Sequence, residues 1–479
     1  MGDIEDAEGE EHERKPLMQS KEVRGDSPKT DGEVLASALD RVPLCRYHRV
    51  AFFFCVFVWF SQGTLITVDS LCFSAFKKEF KVSDPQLAAY NYNLGGGIFI
   101  GAFLSSMADV YGRRNTFLVF SVAIAVVSLM QSFVTTFNQL LALRFLLGIS
   151  VAGVWLITPT FLAEIMPVHN RGLYVVMYCC GWPLGSTLSV AIATVALPNW
   201  RSVLRMAAVP SAVLPIAAFF LLDESPRFHI KKGMWKEVKA VIKEQLYGNR
   251  FEPLAVGAPS SDVVDAVPDS GKADATVDSN GFSLIRKSPK TYGPILAFAL
   301  FFCSLSAGSW GLGTWLPIII ERKSGAGGEK LSPLKVVMFN SIVDFIAIAL
   351  AACFVDKFGR KRFLLFASLA ASACSFALSL AKTEASAMLL SGCHQMAQAI
   401  LWVVVAAFCA ESFGTGIRST VTGVVSAFSR VSMIFAIAIT GYFITKNVNG
   451  PLYFVSSAYA AAALATFFLP EDTTGKSMG

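Results

Sequence analysis

The sequence predicts an all-α polytopic membrane protein whose twelve transmembrane helices form two pseudo-symmetric six-helix bundles. Three observations predict this fold class: an apolar composition with few charges, twelve apolar runs long enough to cross a bilayer, and charged motifs that recur at one fixed spacing. Together they indicate a duplicated unit built into a membrane.

The composition excludes an ordinary soluble protein. Of the 479 residues, 54% are hydrophobic and 16% are charged, whereas soluble domains are about one-quarter charged. Such a chain has too little charged surface to hide its apolar residues in water. The ten cysteines are scattered without paired spacing, which argues against a secreted disulfide scaffold. The net charge of +6 is interpreted as basic cytosolic loops rather than a nucleic-acid-binding surface.

Twelve runs of mostly apolar residues reach the length of about 20 residues that a membrane span requires. The predicted spans are 50–74, 86–108, 116–136, 138–163, 173–197, 203–222, 293–320, 333–355, 363–381, 385–410, 419–443 and 451–469. A polar interruption divides them six and six. This interruption and the loop after span 8 are rich in Lys and Arg, which predicts that both are cytosolic. Both chain termini are then cytosolic as well.

The domain organisation follows from these spans. Residues 1–45 are acidic and polar, so they are predicted to form a disordered cytosolic tail rather than a signal peptide. Residues 46–222 and 291–470 are predicted to form the two bundles. Residues 223–290 are the predicted cytosolic linker, and 471–479 the cytosolic C-terminal tail.

An internal repeat supports the two-bundle prediction. Asp109-x-x-Gly112-Arg113-Arg114 follows span 2, and Asp356-x-x-Gly359-Arg360-Lys361 follows span 8, 247 residues later. A second motif has the same offset, since Glu164 and Arg171 bracket the end of span 4 and Glu411 and Arg418 bracket the end of span 10. Two motifs at one offset indicate that the halves are structural copies, as in transporters built from parallel six-helix repeats.

Further motifs carry a resemblance to a known family. They are Arg144-Phe-x-x-Gly148, Pro159-x-x-x-x-Glu164 with Arg171-Gly172, Glu224-Ser225-Pro226-Arg227 and Pro470-Glu471-x-Thr473-x-Gly475. With the repeated loops, this set resembles the major facilitator superfamily over about residues 45–476. The most similar branch holds sugar porters, organic-ion transporters and synaptic-vesicle-related proteins. The resemblance implies a secondary active or facilitative transporter that moves a small organic solute by alternating access.

We predict that the charged motif residues form an inner gate at the cytosolic rim. A carboxylate beside lipid is costly unless it is paired, so Arg and Glu of different helices are expected to form ion pairs that hold the two bundles together. The alternative is that these residues are only positive-inside charges and helix caps. The predicted inner-gate residues are Asp109, Arg113, Arg114, Arg144, Glu164, Arg171, Asp356, Arg360, Glu411 and Arg418.

Arg430 is the most informative charge inside a span. It lies about twelve residues into span 11, and a guanidinium cannot escape burial by losing its proton. Organic-anion carriers of the family place an Arg in a similar Ser-x-x-x-Arg context, so the resemblance implies an anionic substrate group on Arg430. The alternative is a structural ion pair with Asp344 of span 8, and the two can coexist.

The predicted substrate site also contains aromatic and amide side chains. The body of the solute is expected to lie against tryptophans of spans 5, 7 and 10, since aromatic faces favour flat or apolar molecules. The predicted substrate-binding residues are Arg430, Trp310, Trp182, Trp402, Asp344 and Gln398. An organic anion is therefore the first expectation. An organic-cation or sugar transporter, or a non-transporting vesicle receptor or scaffold on the same fold, stays open.

Asp69 and His394 are the predicted proton-coupling residues, because they are titratable groups inside spans 1 and 10. The expected partners are a small organic solute, a co-transported proton and the lipid bilayer. We expect no nucleic-acid partner, and we expect the protein to be a monomer. The predicted location is the plasma membrane or an endomembrane vesicle. No catalytic, nucleotide-binding or metal-binding motif stands in a suitable loop, so we expect no enzyme activity, cofactor or metal.

Overall fold

The computed structural model describes residues 44, 46–105, 107–166, 168–224, 228–229, 232, 234, 285–286, 291–324, 332–413 and 415–470. Within these ranges only the backbone is described at 109, 168–172, 352–358, 410, 415–416 and 418–419. Most of the predicted tails and linker, 1–45, 223–290 and 471–479, therefore lies outside the described residues.

The described residues contain twelve long helical segments, numbered here α1 to α12. The first six are α1 (Arg46–Phe80), α2 (Asp84–Leu104), α3 (Arg113–Met130), α4 (Phe137–Ile165), α5 and α6 (Trp200–Leu221). The helix α5 consists of Val168–Met177 and Gly181–Ala196, joined by the 3-10 turn Tyr178–Cys180. The last six are α7 (Tyr292–Ser324), α8 (Pro333–Phe358), α9 (Arg360–Leu380), α10 (Glu384–Ser412), α11 (Thr415–Lys446) and α12 (Gly450–Thr466).

These helices pack as two bundles, here called the N half (α1–α6) and the C half (α7–α12). In the N half α2 packs on α4, α1 on α5 and α6, and α3 on α4 and α6. In the C half α7 packs on α11 and α12, α8 on α10, and α9 on α10 and α12. The halves meet where α2 packs on α11 and α5 on α8. The predicted all-α fold of two six-helix bundles is confirmed.

Glycines permit the closest helix contacts of the N half. A Cβ on Gly97 of α2 would lie 2.1 Å from the Phe145 carbonyl oxygen of α4. A Cβ on Gly185 of α5 would lie 2.1 Å from the Phe60 carbonyl oxygen of α1. Small residues that let two backbones approach are typical of helix contacts in membranes.

Eleven of the described helices are long and apolar enough to cross a membrane, whereas the sequence predicts twelve spans. The exception is α2, which contains Asn91, Asn93 and three consecutive glycines, Gly95–Gly97. Because α2 packs on α4 of its own half and on α11 of the other, protein covers much of its surface. A helix covered by protein needs fewer lipid-compatible side chains than a peripheral one.

The repeat is visible in local structure as well as in sequence. Thr136 and Thr383, 247 residues apart, both form a capping box at the start of their helices, α4 and α10. Gly112 and Gly359 both adopt positive φ angles, +99° and +82°, directly before α3 and α9. Glycine adopts this backbone region without the steric cost that a Cβ brings. The same sequence signals therefore begin equivalent helices in the two halves.

Candidate functional site

An aromatic cluster lies where α1, α4, α5 and α7 converge. Trp155 stacks on Trp59 with ring centroids 5.7 Å apart, and Trp182 lies 5.6 Å from Trp59 and 6.1 Å from Trp155. Trp310 of the C half lies 6.3 Å from Trp155. The cluster therefore joins the halves, and it contains two of the three predicted tryptophans, Trp182 and Trp310. Trp59 and Trp155 complete it, although they are not among the predicted site residues.

Arg430 lies beside this cluster at the middle of α11, as the sixteenth of its 32 residues. Its guanidinium carbon is 5.1 Å from the centre of the Trp155 ring, so the charge of the C half faces an aromatic ring of the N half. Within the described part of the chain, no carboxylate pairs with Arg430. The alternative of a structural ion pair with Asp344 is therefore wrong in this state.

Asp344 lies on another side of the site, in the middle of α8, and only 7% of it is exposed. Its described neighbours are the Gln395 amide, which hydrogen bonds to it, and the thiols of Cys179 and Cys180 at the 3-10 turn of α5. No described cation pairs with it. The two predicted charges of the substrate site thus lie apart, with Asp344 buried and Arg430 half-buried, because α8 packs on α5 while α11 packs on α2 and α7.

Trp402 and Gln398 of α10 lie in a hydrogen-bonded group of the C half. The Trp402 indole Nε1 donates to Ser309 Oγ at 3.0 Å, and the Tyr459 hydroxyl donates to Gln398 Oε1 at 3.1 Å. Because Ser309 directly precedes Trp310, Trp402 borders the aromatic cluster. Gln398 borders it through Tyr459, whose hydroxyl is 3.1 Å from Ser309 Oγ.

His394 is packed inside the C half. Its Nδ1 lies 2.8 Å from Ser375 Oγ and 3.2 Å from the Ala371 carbonyl oxygen, and its ring meets Tyr459 edge-on at 5.2 Å. Only 1% of His394 is exposed. All these contacts belong to one half, so His394 does not lie together with Asp69.

Asp69 forms a buried ion pair with Arg144. The Tyr90 hydroxyl donates to Asp69 Oδ1 at 2.6 Å, and the Arg144 guanidinium carbon lies 4.5 Å from the centre of the Tyr90 ring. None of the three residues is more than 1% exposed. The group links α1, α2 and α4 within the N half.

The assignment of Arg144 to the inner gate is wrong. Arg144 is the eighth residue of α4, whereas Glu164 is the last but one, so about 30 Å of helix separates them at 1.5 Å per residue. The motif that contains Arg144 lies near the start of α4, and the Arg144 guanidinium forms an ion pair with Asp69 near the opposite rim. An arginine inside a span needs a carboxylate or substrate partner, which is the signal that sequence reasoning missed here.

At the predicted cytosolic rim, ion pairs recur in both halves. Arg113 Nη2 lies 2.9 Å from Glu164 Oε1, and Arg360 pairs with Glu411 at the equivalent positions of the C half. Between side chains that the structure describes, each pair joins two helices of one half, whereas the prediction had the pairs join the two halves. The described pairs therefore stiffen each half. The side chains of Asp109, Arg171, Asp356 and Arg418 lie outside the described residues.

At the same rim, two further motif residues, Arg114 and Glu224, form hydrogen bonds around the start of α3. The backbone N–H groups of Arg113 and Arg114 donate to Glu224 at 2.8 and 3.1 Å. Glu224 thus caps the N-terminus of α3, where unpaired N–H groups and the helix dipole favour a carboxylate. The Arg114 guanidinium donates to the Phe219 carbonyl at 3.0 Å.

Contacts at the predicted external rim join the halves, and sequence reasoning missed them. Arg322 of α7 donates to Asp84 Oδ2 of α2 at 2.6 Å, and Lys77 donates to Asp84 Oδ1 at 2.7 Å. Ser74 of α1 donates to Glu321 of α7. We call this set, together with Phe73 and Trp315, whose rings meet edge-on at 6.1 Å, the external seam. It consists of Phe73, Ser74, Lys77, Asp84, Trp315, Glu321 and Arg322, and it closes that rim.

Comparisons with known proteins agree with this architecture. A sequence profile of the family described as sugar (and other) transporter matches residues 86–478. The 4-hydroxybenzoate transporter PcaK of Acinetobacter baylyi is 25% identical over 331 residues, which are 68% of this chain and 69% of that protein. The synaptic vesicle 2-related protein of Bos taurus is 22% identical over 457 residues, 88% of this chain and 77% of that protein.

Among solved structures, the inward-open xylose transporter XylE from E. coli superimposes with a TM-score of 0.70. It is 17% identical in sequence, and the match covers 89% of this chain and 97% of XylE. At that identity the likeness shows a shared fold.

Proposed function

Because the chain belongs to the sugar (and other) transporter family, and therefore moves a small solute across a membrane by alternating access, we propose that its solute is an organic anion. The observation that carries this proposal is Arg430. Its charge lies at mid-depth, on a half-buried side chain without a described carboxylate partner, and a guanidinium inside a membrane span needs an anion. A substrate carboxylate supplies one, in a planar bidentate contact.

The surroundings of Arg430 favour an anion with an aromatic or apolar body. The Trp155 ring lies beside the guanidinium, and its centre is 6.1 Å from that of Trp182 and 6.3 Å from that of Trp310. Trp402 borders this group through Ser309. Aromatic rings bury flat bodies well and stack edge or face on them. The name of the Acinetobacter relative, a 4-hydroxybenzoate transporter, suggests aromatic carboxylates as the first probes.

The test is binding and uptake of aromatic carboxylates by the purified protein in lipid vesicles. Arg430→Lys keeps the charge and loses the planar fork, so we expect affinity to fall by about tenfold or more, which corresponds to about 1.4 kcal/mol. Arg430→Ala should lower it further. The matched control is Arg205→Lys, an exposed arginine of α6 that bonds only the Arg201 carbonyl of its own helix.

A normal rate of anion uptake by Arg430→Ala would contradict the proposal. The result would then favour the second candidate, an organic cation, on one specific observation: Asp344 is a buried carboxylate with no described cation partner. Loss of organic-cation uptake in Asp344→Asn would support that candidate. Equal uptake of hexoses in both variants would instead favour a sugar.

We propose that a proton is co-transported and that Asp69 carries it. Asp69 packs with Arg144 and Tyr90 in one buried group, and Tyr90 in turn packs on Phe73 of the external seam. Protonating Asp69 would free Arg144 and thereby change packing beneath the seam. Uptake driven by a pH gradient should be lost in Asp69→Asn, while exchange of labelled for unlabelled solute continues. His394→Gln should retain gradient-driven uptake, because the contacts of His394 lie within one half.

The inner gate and the membrane location remain proposals. Arg113, Glu164, Arg360 and Glu411 are proposed to keep the cytosolic end of each half rigid while the halves rock, with further contacts from Asp109, Arg171, Asp356 and Arg418. We propose cytosolic termini and a plasma-membrane or vesicle location for a monomer.

A further inference from the structure

The internal repeat permits a comparison of equivalent positions in the two halves. Trp155 of α4 and Trp402 of α10 are 247 residues apart, and so are Gln62 of α1 and Ser309 of α7. In the C half the two positions bond to each other, since the Trp402 indole donates to Ser309 Oγ at 3.0 Å. In the N half neither is satisfied: within the described residues, Trp155 Nε1 and both amide atoms of Gln62 have no hydrogen-bond partner.

These unsatisfied groups are deeply buried. Gln62 is 0% exposed and Trp155 is 8% exposed. A buried amide or indole N–H without a partner loses its hydration and gains nothing in return, and buried tryptophans usually find a partner for the N–H. One donor left over could be a packing compromise. Here the unsatisfied groups are a donor of α4 and both a donor and an acceptor of α1. Because the equivalent positions bond to each other in the other half, this set points to a bound group.

Trp155 belongs to the aromatic cluster, and Gln62 follows another member of it by one helical turn. That member is Trp59 of α1, whose ring stacks on Trp155 at 5.7 Å with an interplanar angle of 29°. The Arg430 guanidinium carbon lies 5.1 Å from the centre of the Trp155 ring. Trp155 therefore borders the place where the proposed anion binds, and the repeat puts Gln62 at the position that bonds to the equivalent tryptophan in the C half.

We propose that Gln62 and Trp155 form a polar subsite for a hydroxyl group of the transported anion. A hydroxyl both accepts and donates, so it can accept from the Trp155 indole N–H and donate to Gln62 Oε1. A plain carboxylate offers no donor for Gln62, and it already has Arg430. The substrate class is thus a hydroxylated organic anion with an aromatic or apolar body. This inference rests on the proposed function and narrows it.

The arrangement also divides recognition between the halves. Arg430 of the C half takes the charge, and Gln62 with Trp155 of the N half takes the hydroxyl. A solute that offers both groups contacts both halves together, whereas an anion without the hydroxyl contacts the N half only through ring faces. Discrimination by a site built to bond a hydroxyl is large, because the analogue that lacks it leaves buried polar groups unpaired.

The test compares benzoate with its 3-hydroxy and 4-hydroxy derivatives as probes, using the full chain in lipid nanodiscs and measuring dissociation constants. The wild-type protein should bind at least one hydroxylated probe about tenfold or more tighter than benzoate. Gln62→Leu and Trp155→Phe should each reduce this ratio to near one. Gln62→Met is a second apolar variant of similar length, should Gln62→Leu fold poorly.

The matched control is Trp402→Phe. Its indole N–H is already bonded to Ser309, so this variant should weaken all probes alike and keep the ratio. Equal binding of benzoate and both hydroxylated probes by the wild-type protein would overturn the subsite, and so would a ratio that survives Gln62→Leu. In both cases the anion proposal stands. If no carboxylate binds and Arg430→Ala changes nothing, the proposed function itself fails.

Discussion

At the residue scale, the charges inside the membrane spans divide into those with a described ionic partner and those without one. Asp69 and Arg144 satisfy each other inside the N half, with Tyr90 bonded to the carboxylate. Arg430 and Asp344 have no described partner of opposite charge. Because an isolated charge at mid-depth is costly, the paired residues are expected to serve stability and coupling, and the unpaired ones to serve the solute.

Removing one member of the Asp69–Arg144 pair should destabilise the N half strongly. Arg144→Leu leaves a buried carboxylate, and breaking such pairs costs about 3–5 kcal/mol in soluble proteins. The double variant Asp69→Leu with Arg144→Leu removes both charges, so it should recover part of that loss. Thermal unfolding in detergent measures both effects. A double variant less stable than Arg144→Leu alone would contradict the paired-charge interpretation.

At the element scale, the start of α3 depends on a side chain that is distant in the sequence. The N-terminus of α3 is capped by Glu224, which lies beyond α6 and 111 residues from Arg113. Gly112 makes room for it, since a Cβ at that position would lie 2.3 Å from Glu224 Oε2. Glu471 lies 247 residues after Glu224 and outside the described residues.

Glu224→Ala should therefore lower stability by about 1 kcal/mol, as loss of a helix cap does. Glu224→Gln keeps one acceptor oxygen and loses the charge that the helix dipole favours, so it should lie between Ala and wild type. Unfolding midpoints of the three proteins give the order. An alanine variant as stable as the wild type would show that Glu224 does not cap α3.

The contact of α1 with α5 offers a second test at this scale. Gly185→Ala places a Cβ 2.1 Å from the Phe60 carbonyl oxygen, so the two helices must move apart, and overpacking costs about 1–3 kcal/mol. Gly313→Ala of α7 is the matched control, because a Cβ there meets nothing within 4 Å. Gly313→Ala should not destabilise the protein. Equal unfolding midpoints for the two variants would contradict the packing described here.

At the scale of the whole molecule, the described ion pairs distinguish the two ends. The external seam joins the halves through Asp84 and Arg322, whereas the described pairs at the predicted cytosolic end each stay within one half. Arg322 also donates to the Ile444 carbonyl of α11 at 2.9 Å, so it holds α2, α7 and α11 together. These contacts close the end that is predicted to be external.

Arg322→Ala should open the external seam more often. Ala88 of α2 lies where the two halves meet, because a Cβ on Gly441 of α11 would be 2.7 Å from the Ala88 Cβ. In an Ala88→Cys background, we expect Arg322→Ala to increase labelling by a membrane-impermeant thiol reagent from outside severalfold. Arg201→Ala is the control, because it breaks the ion pair of Arg201 with Glu79 at the same end but within one half. Equal labelling in the two variants would show that Arg322 does not hold the halves together.

The sequence by itself determined the fold class, the duplication and the family. Apolar runs of span length and motifs at one offset of 247 residues are local signals, and the physical rule behind each acts within one helix or loop. Charges inside the spans were also predictable one by one, since the position of Arg430 or Asp69 in an apolar run places it within the membrane. Arg144 is the exception. Its motif at the start of a helix was assigned to the inner gate, so its role as a buried charge was not predicted.

Only the tertiary structure decided which of these residues meet. Arg144 pairs with Asp69 and not with Glu164, Arg430 faces Trp155 and not Asp344, and the ion pairs that the structure describes at the predicted cytosolic rim each join two helices of one half. Each of these outcomes depends on which face of a helix packs against which neighbour. That choice is made by close contacts such as Gly185 on Phe60, and by burial summed over whole helices, which no single motif encodes.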